Sequence, residues 1–348
     1  MRKAFLQDVV IIRLVLILLL VLYHAFAVYC GAWDMPEGVT GVKAYWWIAS
    51  FAYSFMLETF VFLSGYVYGF QVRTKYNGAI DFRSTVVNKS KRLLIPSVFF
   101  SILYILCFNL GKDVGITQYV YDVLNGAGHM WFLPMLFWCF VALFIVEKLH
   151  LSAKTVLILA LAASMLSLFT LPFRISSAAY YFIFFYIGYV LQRFDIQVVL
   201  KIKPKTVLLF AVSYLGVFLL SKISLNEMKF LEFAQESLTN KVLYNLLNRA
   251  GTLMYSMLGL GFVYSLVNYI LRNNNISLDT WMLKLGGYCF GVYIFQQFIL
   301  KIIMYNDRMI ALFGSYWLPW VAFIITLSVS IFMSSALLKT KVGRYLIG

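Results

Sequence analysis

The chain has 348 residues, of which 62% are hydrophobic and only 12% are charged. A soluble domain carries about 25% charged residues, so this sequence lacks the polar side chains for a water-facing surface. Its formal net charge of +15 does not indicate nucleic-acid binding, because the basic residues form no single stripe or face. They fall between apolar runs instead, and the composition predicts an integral membrane protein.

A helix that crosses a bilayer needs about 20 apolar residues. Several segments, of which 178–193 and 206–221 are the weakest, meet or nearly meet this length. In chain order, the ten segments are 9–30, 45–70, 93–110, 131–148, 155–172, 178–193, 206–221, 249–271, 285–303 and 311–337. The sequence therefore predicts an all-α polytopic membrane protein with about ten transmembrane helices. No linker divides the chain, so we expect a single domain, 1–348.

The positions of the basic residues predict the orientation. If the N-terminus is cytoplasmic, most of the 29 Lys and Arg residues fall in cytoplasmic segments, as the positive-inside rule requires. An even number of spans then places both termini in the cytoplasm. The longest polar stretch, 222–248, is assigned to the outside. We expect a multi-pass protein of the cell (inner) membrane.

Ionisable residues inside the predicted spans are the first candidates for chemistry, because a charge inside a bilayer costs about 2.5–3.5 kcal/mol on insertion scales. Three residues meet this criterion: Arg13, His24 and Glu58. Arg13 and His24 lie 11 positions apart in the first segment. At about 100° and 1.5 Å per residue, their side chains share one face of a helix and are separated by roughly 16 Å along its axis.

This arrangement suits a long, anionic donor that carries a thioester. A guanidinium stays charged and binds phosphate in a bidentate manner, and an imidazole can act on a thioester or a hydroxyl near neutral pH. Simpler interpretations stay open for each residue. Arg13 also fits a side chain that snorkels to the interface. His24 also fits a packed histidine that is bonded to a backbone carbonyl. Glu58 fits either a group that orients His24 or fixes the donor, or a protonated acid with a structural role.

Four further motifs follow the Arg13–x10–His24 pair in order. They are 60–66 (FVFLSGY), 89–96 (KSKRLLIP), 129–134 (HMWFLP) and 288–296 (YCFGVYIFQ). Together they resemble acyltransferase family 3, whose membrane proteins O-acylate surface sugars in bacteria, and the resemblance runs from about residue 8 to at least 300. Within the second motif, Gly65 is the small residue that allows close helix packing.

The resemblance implies roles for individual residues. His24 would be catalytic, with Glu58 as its candidate partner. Arg92 and Lys89, which stands where the family has Arg, would join Arg13 in binding the phosphates of cytoplasmic acyl-CoA. The expected saccharide-binding residues are His129, Trp131 and Gln296, the last of which takes the place of a frequent His.

These observations predict a membrane O-acyltransferase, most simply an O-acetyltransferase, that uses acetyl-CoA or another acyl-CoA and a cell-surface saccharide. His24 would be a general base or a transient acyl carrier, and the sequence does not choose. The alternatives are a lipid-linked sugar transporter or flippase, which would favour inverted repeats and broken helices, and a polysaccharide polymerase, which would favour a large Arg-rich outer loop. We expect no metal, because the four cysteines are far apart and fit small buried hydrophobic residues.

Overall fold

A computed structural model describes residues 6–76, 78–109, 114–167, 170–196, 202–224, 235, 237–274 and 278–348. Throughout these residues the regular structure is helical and contains no strand, which confirms the predicted all-α class. The helices in chain order are α1 Gln7–Ala25, α2 Lys43–Tyr53, α3 Met56–Thr74, α4 Asn88–Phe108, α5 Ile116–Asn125, α6 Phe132–Lys148, α7 Ala153–Leu166, α8 Ile175–Arg193, α9 Pro204–Ser224, α10 Leu238–Asn274, α11 Thr280–Met304, α12 Asp307–Leu337 and α13 Lys341–Ile347.

Each of the ten predicted segments corresponds to helix. Within the described residues, nine helical segments are long and apolar enough to cross a membrane. The tenth segment, predicted at 155–172, corresponds to the 14-residue helix α7, which ends at Leu166, and residues 168–169 of the prediction lie outside the described residues. The predicted segment 45–70 is divided between α2 and α3 by a short turn, and α10 begins 11 residues before the predicted 249, because helix continues into the polar sequence that precedes the apolar run. Residues 225–234 and 236 of the polar stretch 222–248 lie outside the described residues.

Apolar side chains cover much of the helical surface. On α9, large hydrophobic residues point away from the rest of the protein, with Leu208, Leu209, Val212 and Leu220 all exposed. Exposed apolar surface of this extent marks contact with an apolar environment, so these helices belong in a lipid bilayer. The same surface accounts for Cys107 on α4. We expected a buried residue there, and its side chain is exposed.

The chain forms two compact units. The first unit comprises Met1–Tyr53, Val87–Phe137 and Leu278–Gly348, and the second comprises Ser54–Val86 and Trp138–Ser277. The expectation of a single domain stays a prediction.

In the first unit, α1 and α11 pack side by side and run parallel. Near their first turns, a Cβ built on Gly286 would lie 2.9 Å from the Val10 side chain. Further along, Arg13 is close enough to Cys289 to interact electrostatically, and at the far end His24 bonds to Gln297. Residue numbers rise together on both helices, so α11 accompanies α1 over the whole distance from Arg13 to His24.

In the second unit, α3 and α8 pack at backbone distance. A Cβ on Gly65 would lie 1.9 Å from the Phe185 carbonyl oxygen, and one on Gly188 would lie 2.2 Å from the Phe62 carbonyl oxygen. No other residue type fits such a contact without moving a helix. The close packing expected at Gly65 is therefore confirmed, and its partner helix is α8.

Candidate active site

His24 lies in the last turn of α1, and its side chain is buried. Its Nδ1 lies 3.1 Å from the carbonyl oxygen of Leu20, one turn earlier on the same helix. A carbonyl oxygen can only accept a hydrogen bond, so Nδ1 carries the proton. The neutral imidazole therefore presents its lone pair at Nε2.

Gln297 of α11 forms a hydrogen bond with that lone pair. Its side-chain nitrogen lies 2.9 Å from His24 Nε2 and donates to it. The Trp33 ring stacks on the imidazole, with 5.8 Å between ring centroids. Both nitrogens and one face of the His24 ring are thus held by neighbours within the first unit.

His129 reaches the same place from a tight turn, Gly128–Trp131. Gly126 lies two residues before the turn and Gly128 is its first residue. Their φ angles are +79° and +57°, in the left-handed region that glycine adopts at no steric cost. A Cβ on Gly128 would lie 2.5 Å from the Tyr104 ring. The Ala127 amide donates to Ser101 Oγ at 3.0 Å and anchors the turn on α4.

Two hydrogen bonds tie His129 to α11. Its Nε2 donates to the Ile294 carbonyl oxygen at 2.9 Å, and the Tyr293 hydroxyl donates to the His129 carbonyl oxygen at 2.6 Å. Because Nε2 carries the proton, neutral His129 presents its lone pair at Nδ1. His129 interacts electrostatically with His24, and Gln297 lies close enough to act on its ring. The structure therefore brings two imidazoles to one glutamine.

Lys301 lies one turn beyond Gln297 on α11. Its Nζ lies 5.1 Å from the ring centroid of Tyr104, 5.4 Å from that of Phe108 and 5.8 Å from that of Trp33. The charge of Lys301 also acts on His129. A cation and several aromatic rings thus lie near the two histidines.

Arg13 lies at the other end of the same face of α1. It is partly buried and interacts electrostatically with Cys289 and with Arg92 of α4. Arg92 is exposed, and Lys89 lies half-buried one turn before it. Neither ion pair found in the described part of the chain uses Arg13 or Arg92. Two neighbouring guanidinium groups without a carboxylate suit a phosphate-bearing ligand.

Glu58 lies in the second unit, in the first turn of α3. Its buried carboxylate accepts a hydrogen bond from the Tyr180 hydroxyl at 3.1 Å. The Arg249 guanidinium lies 4.5 Å from the centroid of the Tyr180 ring and also acts on Glu58. The orientation of His24 comes from Leu20 and Gln297, while a catalytic role for Glu58 stays a prediction.

The other predicted saccharide-binding residues have different surroundings. Trp131 ends the His129 turn and lies half-buried against the Phe132 ring. Gln296 is fully buried, and neither atom of its amide has a hydrogen-bond partner among the residues described. The predicted binding roles of His129, Trp131 and Gln296 stay predictions.

Gln297 was not predicted as a site residue. Its signal in the sequence is a polar stripe in an otherwise apolar helix, because Tyr293, Gln297 and Lys301 recur every four residues and so share one face. Gln296 matched the position of the family's frequent His, but its side chain lies about 100° further round the helix axis.

The chemistry available at this site follows from its side chains. An imidazole lone pair, a second imidazole and aromatic surface lie at one end of α1, and a cationic pair lies roughly 16 Å away at the other. No group of His, Cys, Asp or Glu that could hold a metal ion occurs in the described ranges.

Comparison with known proteins identifies the family. The model of an acyltransferase domain, that of acyltransferase family 3, matches residues 7–339, nearly the whole chain. No curated protein and no solved structure matches the chain significantly. The family match confirms the resemblance found in the sequence motifs. The chain therefore belongs to acyltransferase family 3, and it is an acyltransferase that transfers groups other than aminoacyl groups.

Proposed function

We propose that the protein is a membrane O-acyltransferase of the cell (inner) membrane. It moves an acyl group, most simply acetyl, from cytoplasmic acyl-CoA to a hydroxyl of a cell-surface saccharide. The observation that carries this proposal is the His24 imidazole, whose proton is held at Nδ1 by Leu20, so that Nε2, which accepts a hydrogen bond from Gln297, is its basic atom. Family membership favours this function over a sugar transporter or a polysaccharide polymerase.

Arg13 supports a cytoplasmic acyl-CoA donor. Together with Arg92, and with Lys89 one turn earlier on α4, it offers cations to the phosphates. The roughly 16 Å between Arg13 and His24 leaves room for an extended arm between the phosphates and the thioester. On this proposal the donor lies along α1 with its thioester at His24.

His24 then has two possible routes. As a general base, Nε2 removes the proton of the saccharide hydroxyl while its oxygen attacks the thioester carbonyl carbon, and the carbon–sulfur bond breaks as the tetrahedral intermediate collapses. The thiolate takes the proton from the imidazolium. As a nucleophile, Nε2 itself attacks the thioester and the thiolate leaves. The hydroxyl then attacks the carbonyl carbon of the acyl-imidazole, the bond from that carbon to Nε2 breaks, and the hydroxyl proton passes to the thiolate. In both routes the thiol and the ester are the products.

Acceptor-free labelling separates these routes. Purified protein incubated with radiolabelled acetyl-CoA would acquire a covalent label on the nucleophilic route, at His24 alone. The general-base route gives no label.

The proposed saccharide site draws on the aromatic and polar residues near His24. Trp33, Tyr104 and Trp131 offer ring faces of the kind that pack on sugars, and His129 and Gln296 offer hydrogen-bonding groups. The α11 stripe of Tyr293, Gln297 and Lys301 leads into this region.

Loss of His24 tests the proposal directly. Membranes that contain the protein and its endogenous glycan would be given radiolabelled acetyl-CoA, and label in the glycan would be measured. We expect His24→Ala to lower incorporation by about 10²–10⁴-fold, the usual contribution of general acid–base catalysis.

His150 offers a matched control. It is an exposed histidine between α6 and α7, and His150→Asn should retain full incorporation. Full activity of His24→Ala, or an equal loss in both variants, would contradict the proposal.

A further inference from the structure

Gln297 takes no part in the reaction steps proposed above, yet its buried side chain bonds to His24 and acts on the ring of His129. Its relative exposure is 5%, and burying an amide without hydrogen bonds is costly. Its position next to His24 Nε2, the atom on which the proposed chemistry depends, calls for a specific role.

The backbone sets the proton positions of both histidines. His24 Nδ1 donates to the Leu20 carbonyl and His129 Nε2 donates to the Ile294 carbonyl. Each neutral ring therefore keeps one lone pair, at His24 Nε2 and at His129 Nδ1. His129 Nδ1 is buried and has no hydrogen bond of standard geometry in the described chain, although Gln297 lies beside that ring.

An amide nitrogen has two N–H bonds to donate. Gln297 uses one for His24 Nε2 at 2.9 Å and has a second N–H to offer the His129 ring, while its Oε1 atom is buried and has no hydrogen-bond partner among the described residues. A glutamate at this position would offer oxygen lone pairs to two nitrogen lone pairs, and it would favour protonated imidazoles. Glutamine matches a pair of neutral rings.

The charged surroundings favour the same state. Lys301 acts on His129 from α11, His129 acts on His24, and Tyr23 and Trp33 pack against the His24 ring. Burying a charge is costly, and a nearby cation adds to the cost of a positively charged ring, so these surroundings suit two neutral imidazoles.

We propose that Gln297 is a positioning residue that joins His24 and His129 into one neutral pair and keeps His24 Nε2 unprotonated. This inference rests on the proposed role of His24 as the reacting imidazole. The acceptor hydroxyl, or the thioester, takes the place of the Gln297 N–H at His24 Nε2. The bond to His129 then holds the displaced amide beside the reacting atoms.

The tautomer of His24 tests this inference without any acyl transfer. The chain contains three histidines, so protein labelled with ¹⁵N-histidine in detergent micelles gives a small set of ring signals, assigned with His24→Asn, His129→Asn and His150→Asn variants. We expect His24 to be protonated at Nδ1 and unprotonated at Nε2. Gln297→Met should shift the Nε2 signals of His24 and the Nδ1 signals of His129.

Asn268→Leu is the control, because it removes another buried amide, which donates to the Tyr264 carbonyl in α10. Both histidine spectra should stay unchanged in this variant. A wild-type His24 protonated at Nε2, or a Gln297→Met spectrum identical to the wild type, would overturn the proposal.

Kinetics supply a second readout. Gln297→Met should lower kcat for acetyl transfer by about tenfold or more, as small misplacements of catalytic groups do, with KM for acetyl-CoA unchanged. Gln297→Glu keeps the side-chain size and should move the acidic limb of the pH–rate profile to higher pH, because a carboxylate stabilises protonated imidazole. If Gln297→Met does not fold, the pH–rate profile of Gln297→Glu tests the proposal instead.

An unchanged kcat in Gln297→Met, or an unshifted profile in Gln297→Glu, would refute the positioning role. A wild type that does not transfer acetyl groups, yet shows the expected tautomers and their response to Gln297→Met, would refute the proposed function and leave the paired geometry intact.

Discussion

At the scale of single residues, the state of His24 has two origins. Its Nδ1–H bond to Leu20 lies within α1 and joins residues one turn apart. Its Nε2 bond to Gln297 links positions 273 residues apart and requires the packed first unit. The first bond selects the tautomer and the second aims the ring, so one imidazole depends on both local and tertiary structure.

Arg13 provides a prediction at this scale. Arg13→Met should raise KM for acetyl-CoA by about tenfold or more, because a hydrogen bond to a charged group contributes about 1.5–3 kcal/mol. Arg13→Lys should show a smaller rise, since an ammonium keeps the charge but loses the bidentate geometry. Initial rates across a range of acetyl-CoA concentrations measure the effect.

The control for Arg13 is Arg344→Met, which removes an exposed arginine of α13 and should leave KM unchanged. An unchanged KM in Arg13→Met would speak against the phosphate role.

At the scale of elements, glycines decide how closely helices approach. The α3–α8 contact depends on Gly65, Gly69 and Gly188, each of which faces backbone atoms of the other helix. Where backbones touch, the van der Waals contact is extensive, which is how helices associate within a bilayer. Glu58 lies in the first turn of α3 and Tyr180 lies in α8, so their hydrogen bond depends on this contact.

Gly65→Ala tests the helix contact. The added Cβ would overlap the Phe185 carbonyl oxygen, so we expect a loss of about 1–3 kcal/mol of stability, as overpacking typically costs. The measurement is the thermal stability of the purified protein in detergent.

The control is Gly216→Ala in α9, where a Cβ meets nothing within 4 Å. This change should be neutral or stabilise by about 0.5–1 kcal/mol, because alanine favours helix. Equal stability of the two variants would contradict the packing argument.

At the scale of the whole molecule, the orientation in the membrane decides which side supplies the donor. The excess of basic residues in the segments assigned to the inside predicts cytoplasmic termini. That orientation would put the Arg13 end of α1 toward the cytoplasm and the His24 end toward the outside.

Reporter fusions test the orientation. Green fluorescent protein fused after Gly348 should fluoresce and alkaline phosphatase at the same point should be inactive, while fusions after Lys241 should give the reverse. Active phosphatase at Gly348 would overturn the predicted orientation and the cytoplasmic donor with it.

The sequence by itself determined the membrane class, the helical segments, the family and the shared face of Arg13 and His24. Composition and helical periodicity are local properties, so they can be read from the sequence without knowing which helices pack together. Gly65 was recognised as a packing residue for the same reason.

Only the tertiary structure decided which residues meet. Helical periodicity says which way a side chain points but not which helix it faces, and the hydrogen bonds of His24 to Gln297 and of Glu58 to Tyr180 join distant segments. Gln297 and Gln296 are chemically identical neighbours in the sequence. Packing of α11 against α1 places Gln297 on the imidazole.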